Sequence, residues 1–181
     1  MYKPLLKKFF LSTAALFFAM LVLPQQAQAQ EPVNYELKLA GMRVSSLNCD
    51  DLSSIDGVSG TAKFDPESKT LTLDNATIST SVIKFPGLEN SIKGLTIRLI
   101  GDNTITSENY WGLFNNTERS ITFTGSGKLT VNGSTTAPQT GYRRAIFNWG
   151  TIVVDGCTLE ANGGVYGIGS GFWKFINCNV R

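Results

Sequence analysis

A chain of 181 residues, 42% hydrophobic and 17% charged, is long enough for one domain with a sizeable core. Its formal net charge of +2 supplies no basic excess for nucleic-acid binding. It contains no His, which removes Ser-His-Asp and Cys-His nucleophiles, His-ligated zinc and a His acid/base.

Residues 1–29 read as a secretory signal. Lys3, Lys7 and Lys8 make a basic start, and Phe9 to Leu23 is an apolar run of about 15 residues, short for a membrane span. Pro24 breaks the run, and Ala27-Gln28-Ala29 is a small-x-small cleavage site. An uncleaved anchor is the alternative. Cleavage takes Lys+Arg from 16 to 13 against 14 Asp+Glu, a net of −1. The expected location is secreted, periplasmic or cell-surface, with no membrane contact after cleavage.

Residues 30–69 form a linker and a β cap. Tyr35 to Leu39 alternates, Gly41 breaks it, and Gly60 to Phe64 leads into Asp65-Pro66-Glu67-Ser68, a turn that joins Phe64 to Leu71 as a β-hairpin. Asp50-Asp51, the one adjacent acid pair, falls in a loop of this cap.

Residues 70–181 repeat one pattern. Leu71 to Ile78, Leu95 to Ile105, Ile121 to Val131, Ile152 to Leu159 and Trp173 to Val180 each read as a short strand, a polar bend and one more apolar residue. They recur roughly every 21 to 31 residues, the range of solenoid repeats. Leu71 and Leu73, Leu95 and Ile97, Ile121 and Phe123, and Ile152 and Val154 alternate with outward residues, so one face is buried. A second element precedes the strands: Gly112 to Asn115, Ala145 to Asn148 and Gly167 to Ser170, with the aliphatic residue inward. No segment carries capped helical periodicity. The prediction is an all-β, right-handed parallel β-helix of about four to five rungs under an N-terminal β-hairpin cap. Arg181 falls just inside a rung with no capping element in sight. That leaves two expectations, a truncated product or a partner or second copy covering the C-terminal edge.

Cys157 and Cys178 hold equivalent places in consecutive repeats. Parallel Cβ vectors suit a ladder of buried thiols better than a disulfide. Cys49 lies outside the repeats.

Tyr35 to Gly41 with Arg43-Val44, Gly60 to Phe64, Thr70 to Ile78 and Leu95 to Ile105 together resemble the secreted parallel β-helix carbohydrate-binding proteins of clostridia and Bacteroidetes, which include cellulose- and pectin-binding members. The resemblance covers most of the chain after residue 29. It implies binding of envelope or extracellular polysaccharide, with calcium in some members, and it transfers no individual binding residue.

The chemistry in the sequence is sparse. A glycosidase needs two carboxyl groups facing one sugar, and no such pair stands out. Asp74 and Asp155 recur at one bend, where carboxylates cap local backbone. Asp102 with Asn103, or Asp155 with neighbouring carbonyls, offers oxygens for at most a weak calcium site; no other cofactor is implied. Glycines 163, 164, 167, 169 and 171 suit tight turns rather than phosphate binding. Arg143-Arg144 reads as a solvated loop pair or as a contact for anionic sugars.

The aromatics of the longer connections are the functional candidates. Tyr110, Trp111, Tyr142 and Trp149, with Arg143 and Arg144, could form a platform for sugar rings or could serve packing. Phe114 and Phe147 are expected to stack between rungs, and Trp173 to point into the core. The expected function is non-catalytic polysaccharide binding. The alternatives are a structural or adhesive envelope protein associating through its open end, and a divergent polysaccharide lyase.

Overall fold

The computed structural model describes residues 31–181. The predicted export signal, residues 1–29, lies outside them. Strand takes 57% of the described residues and helix 4%, so the all-β expectation holds. No described helix is long and apolar enough to cross a membrane.

Strands β1 (Asn34–Leu39) and β2 (Met42–Ser45) form an antiparallel hairpin. Ala40 and Gly41 both take positive φ, 49° and 85°, the backbone of a two-residue turn that follows the strand twist. β3 (Val58–Asp65) pairs antiparallel with β4 (Thr70–Thr80), and Phe64 faces Leu71 as the sequence predicts. The Asp65 carboxylate holds that turn, accepting from Glu67 N (2.9 Å) and from Ser68 Oγ (2.6 Å). Asp51 does the same for the short 3₁₀ turn Leu52–Ser54, accepting from Ser53 Oγ and Ser53 N. In each case the bond from the serine hydroxyl leads in holding the carboxyl below its ordinary range, which is the behaviour of local caps.

After β4 the strands come in threes: β5 (Leu88–Asn90), β6 (Lys93–Ile100) and β7 (Asp102–Ser107); β8 (Leu113–Asn115), β9 (Ser120–Gly125) and β10 (Lys128–Asn132); β11 (Arg144–Asn148), β12 (Thr151–Asp155) and β13 (Thr158–Asn162); β14 (Tyr166–Gly169), β15 (Phe172–Ile176) and β16 (Asn179–Val180). Each strand pairs in parallel with its counterpart in the next set. One ladder runs β5-β8-β11-β14, with β1 added antiparallel to β5. Another runs from the first half of β4 through β6, β9, β12 and β15. The last runs from the second half of β4 through β7, β10, β13 and β16. β4 therefore belongs to two ladders. It turns between them near Asn75, whose φ is 48°.

Register aligns the apolar residues in columns. Leu95, Ile121, Ile152 and Trp173 form one, and Ile97, Phe123, Val154 and Phe175 another. Ile78, Ile105 and Val131 continue the core on the third ladder, and Leu88, Leu113 and Ile146 on the first. Apart from Trp173 and Phe175, these side chains are at most 1% exposed. Burial of each aliphatic side chain contributes about 1.5–3 kcal/mol. The "one more apolar residue" of the sequence pattern is in fact a full strand: β7, β10 or β13. Its alternation is masked in β7 because the first inward residue is Asn103, which is 1% exposed. Asn103 accepts from Ala76 N (2.9 Å) and donates to Ile100 O and Lys128 O, so it seals the bend from inside.

The first ladder holds a second buried polar column. Asn90, Asn115 and Asn148 are all 0% exposed. Asn90 Nδ2 donates to Asn115 Oδ1, and Asn115 Nδ2 to Asn148 Oδ1, each at 2.8 Å. Each amide also closes its own bend through Ile92, Arg119 or Gly150 backbone, and Asn148 Nδ2 donates onward to Phe172 O in the next repeat. The motif small–aliphatic–variable–Asn thus begins one repeat earlier than the sequence reading placed it, at Gly87 to Asn90.

Candidate carbohydrate-binding face

Strands β8 and β11 are three and five residues long and turn Leu113, Asn115, Ile146 and Asn148 inward. Side chains alternate across a strand, so Phe114 and Phe147 must point outward. They stack between neighbouring strands at 5.8 Å, with planes 27° apart. The pairing expected from the sequence is present, on the outer face rather than in the core.

The connections preceding these strands, residues 108–112 and 133–143, lie at one corner and bring further rings to this face. Trp111 sits 4.4 Å from Phe147 and 5.0 Å from Phe114. Tyr110 lies 4.1 Å from Trp111 and 4.6 Å from Tyr142. Trp149, in the next bend, meets Phe147 edge-on at 5.6 Å. The Trp111 indole N–H donates to Gly141 O (2.8 Å) and ties the two connections together. Burial pushes the Tyr110 phenol above its ordinary range, with Tyr142 and Glu89 adding to the effect. Tyr110, Trp111, Tyr142 and Trp149, separated in sequence, therefore form one continuous patch with Phe114 and Phe147. The two phenylalanines were legible only as packing residues.

The two arginines part company. Arg143 Nε donates to Ala137 O (2.7 Å) and braces the 133–143 connection. Arg144 begins β11, and its guanidinium carbon lies 4.8 Å from the Phe147 ring centre and 5.2 Å from that of Tyr166. Register explains the space it occupies. The outward column reads Glu89, Phe114, Phe147, Gly169, and a Cβ on Gly169 would lie 3.2 Å from Arg144 Nη1. Arg144 thus covers the place that a fourth side chain would take. Its Nε is buried without a partner, while Nη1 reaches Ser170 Oγ at 3.4 Å. The solvated loop pair is corrected: one arginine is a backbone brace and the other a stacked strand residue. At the other end of the column Glu89 pairs with Lys38 at 3.0 Å.

Other sequence candidates lie away from this face. Asp102 is 3.8 Å from Lys128 Nζ, and the Asn103 amide oxygen accepts from Ala76 N. Among the described residues no group of three or more His, Cys, Asp or Glu is placed to hold a metal. Trp173 takes the expected inward register but stays half-buried, stacked on Phe175 at 5.9 Å.

Cys49 and Cys157 are buried, Cys178 is half-buried, and all three are free thiols. Cys157 and Cys178 fall between the register pairs Asp155–Ile176 and Thr158–Asn179, so they face each other across adjacent strands. Burial raises the Cys157 thiol above its ordinary value, and Cys178 adds in the same sense. A raised value favours the folded state below the unfolded thiol value of about 8.5, and that contribution is lost as pH rises through the folded one. Iodoacetamide on the native protein is expected to label Cys178 first, and Cys49 and Cys157 only on unfolding. Cys157→Ala is expected to flatten the loss of stability above pH ~8.5. An intact mass lower by one pair of hydrogens would overturn the thiol assignment.

Comparison with family models, with curated proteins and with solved structures found no match.

Proposed function

We propose that the chain is an exported, right-handed parallel β-helix that binds polysaccharide without catalysis, through the aromatic face on β8 and β11. The carrying observation is the continuity of that face: six rings from two neighbouring repeats, each with a neighbour's centre within 6 Å. The three parallel ladders support the architecture, since parallel strands joined by short bends close only by coiling, and parallel crossovers run right-handed. Ring faces offer CH-rich sugar surfaces apolar area and a polarised π surface. Trp149, 56% exposed, is the ring most available to a ligand.

Affinity electrophoresis in gels of pectin, cellulose derivative and host glycan tests this reading. At least one polymer is expected to retard the protein, and Trp149→Ala to abolish most of the retardation while leaving the thermal unfolding midpoint in place. Unshifted migration in every gel would count against the proposal.

One observation favours a second reading. Phe172, Phe175 and Val180, on β15 and β16, are 78%, 48% and 37% exposed. Stacking of a second copy on these strands would bury them and would suit an adhesive envelope protein. Light scattering across a concentration series separates the readings, because a monomer at all concentrations removes this one.

A further inference from the structure

Beside the aromatic face lies a cavity of about 410 Å³. Its walls come from two connections at the same corner, residues 81–87 and 133–143, with Asn109 between them. Ile83, Pro138 and Tyr142 supply apolar surface; Asn109 and Gln139 supply amides, and Lys84 a cation. Tyr142 also belongs to the aromatic patch, 4.6 Å from Tyr110, so cavity and patch are continuous. Ile83 is 70% exposed at the cavity. A large aliphatic residue left open in a concave site gains most from a ligand that covers it.

We propose that this cavity is a subsite for an N-acylated sugar residue. The inference rests on the polysaccharide-binding reading and adds the substituent that is recognised. An acetamido group carries a methyl, an N–H donor and a carbonyl acceptor in one plane. The methyl packs against Ile83, Pro138 and the Tyr142 ring. Asn109 Nδ2 is already committed to Ser81 O at 2.6 Å, which turns its carbonyl oxygen into the acceptor for the acetamido N–H. The Gln139 amide, or Lys84 at the rim, donates to the acetamido carbonyl. An unsubstituted hexose leaves the apolar wall wet. A purely apolar ligand leaves the amides without partners, which costs affinity. A sugar chain stacked along Trp111 and Tyr142 would enter the cavity with its next residue.

The test compares cellotetraose with N-acetylchitotetraose on the purified protein by titration calorimetry. Both ligands are neutral and share one linkage, and they differ in the acetamido group. The N-acetylated ligand is expected to bind at least about tenfold more tightly, the discrimination that a matched apolar pocket provides. Ile83→Asp, on an exposed side chain, is expected to bring the two affinities level. Gln139→Ala is expected to remove part of the preference. Equal affinities in the unmodified protein would overturn the subsite and leave the platform standing. A preference that survives Ile83→Asp would place recognition outside the cavity and also overturn it. Failure of both tetrasaccharides to bind, with retardation by a polymer intact, would sink the subsite alone. Failure of every glycan would sink the platform reading as well.

Discussion

Asn115→Leu is expected to cost about 3 kcal/mol, a large share of the roughly 5–15 kcal/mol that holds a domain folded. The residue has no contact with solvent, and its amide serves both neighbours. Removing it leaves an N–H of Asn90 with no acceptor in a dry column. It also takes one of the two donors from the Asn148 oxygen, whose other donor is Gly150 N. An unsatisfied buried polar group costs about 1–3 kcal/mol, whereas the net value of a satisfied bond is nearer 1 kcal/mol, so the desolvation penalty dominates. At about 2–4 °C per kcal/mol, the midpoint should fall by roughly 6–12 °C. The double variant Asn115→Leu with Asn148→Leu should lose less than the sum of the singles, because the second change removes a group that the first left poorly paired. Strict additivity in calorimetric melts would mean that the column does not act as a unit.

Phe123→Ala should be at least as damaging, at about 3–5 kcal/mol. Phe123 is among the largest side chains with no exposed surface, and it stands between Ile97 and Val154 in its column. Strands in adjacent registers cannot slide to fill the gap without moving a whole ladder, so the cavity term persists. Phe123→Leu should recover more than half of the loss. Urea titrations measure both variants. Each set of strands bonds only to its neighbours, so the weakness should also be local. Hydrogen exchange should speed up in β12 and β15 more than in β4 and β6, because β3 pairs with β4 on the other side. Uniform acceleration across all ladders would contradict this.

The columns containing Ile121 and Phe123 could be read from the sequence because period-two alternation survives where both inward residues are apolar. Where one inward residue is Asn, the same alternation disappears. Asn103 and Asn115 look like turn residues in one dimension, yet both are buried polar supports. Composition marks Asn as a bend former, and only register shows that three of them share a column. The candidate face was half legible. Tyr110, Trp111, Tyr142 and Trp149 were recognisable as loop aromatics, but a strand as short as Leu113–Asn115 offers too few residues to tell its outward Phe from core. Tyr166 and the stacking of Arg144 depend on Gly169 leaving a gap, a relation between neighbouring strands that no local pattern carries.

The unequal spacing of the repeats has a single main source. Residues 81–87, 108–112, 133–143 and 163–165 link the third ladder to the first, and their lengths differ widely. The bends at the other two corners stay within a few residues. Lengthening a closed loop is cheap, about 0.6 kcal/mol per doubling, and none of these links has to preserve strand register. Evolution and protein engineering therefore have one edge of the molecule on which to write. A foreign peptide grafted into 133–143, or a different set of aromatics exchanged into 108–112, would give a new recognition surface while the ladders beneath it kept their registration.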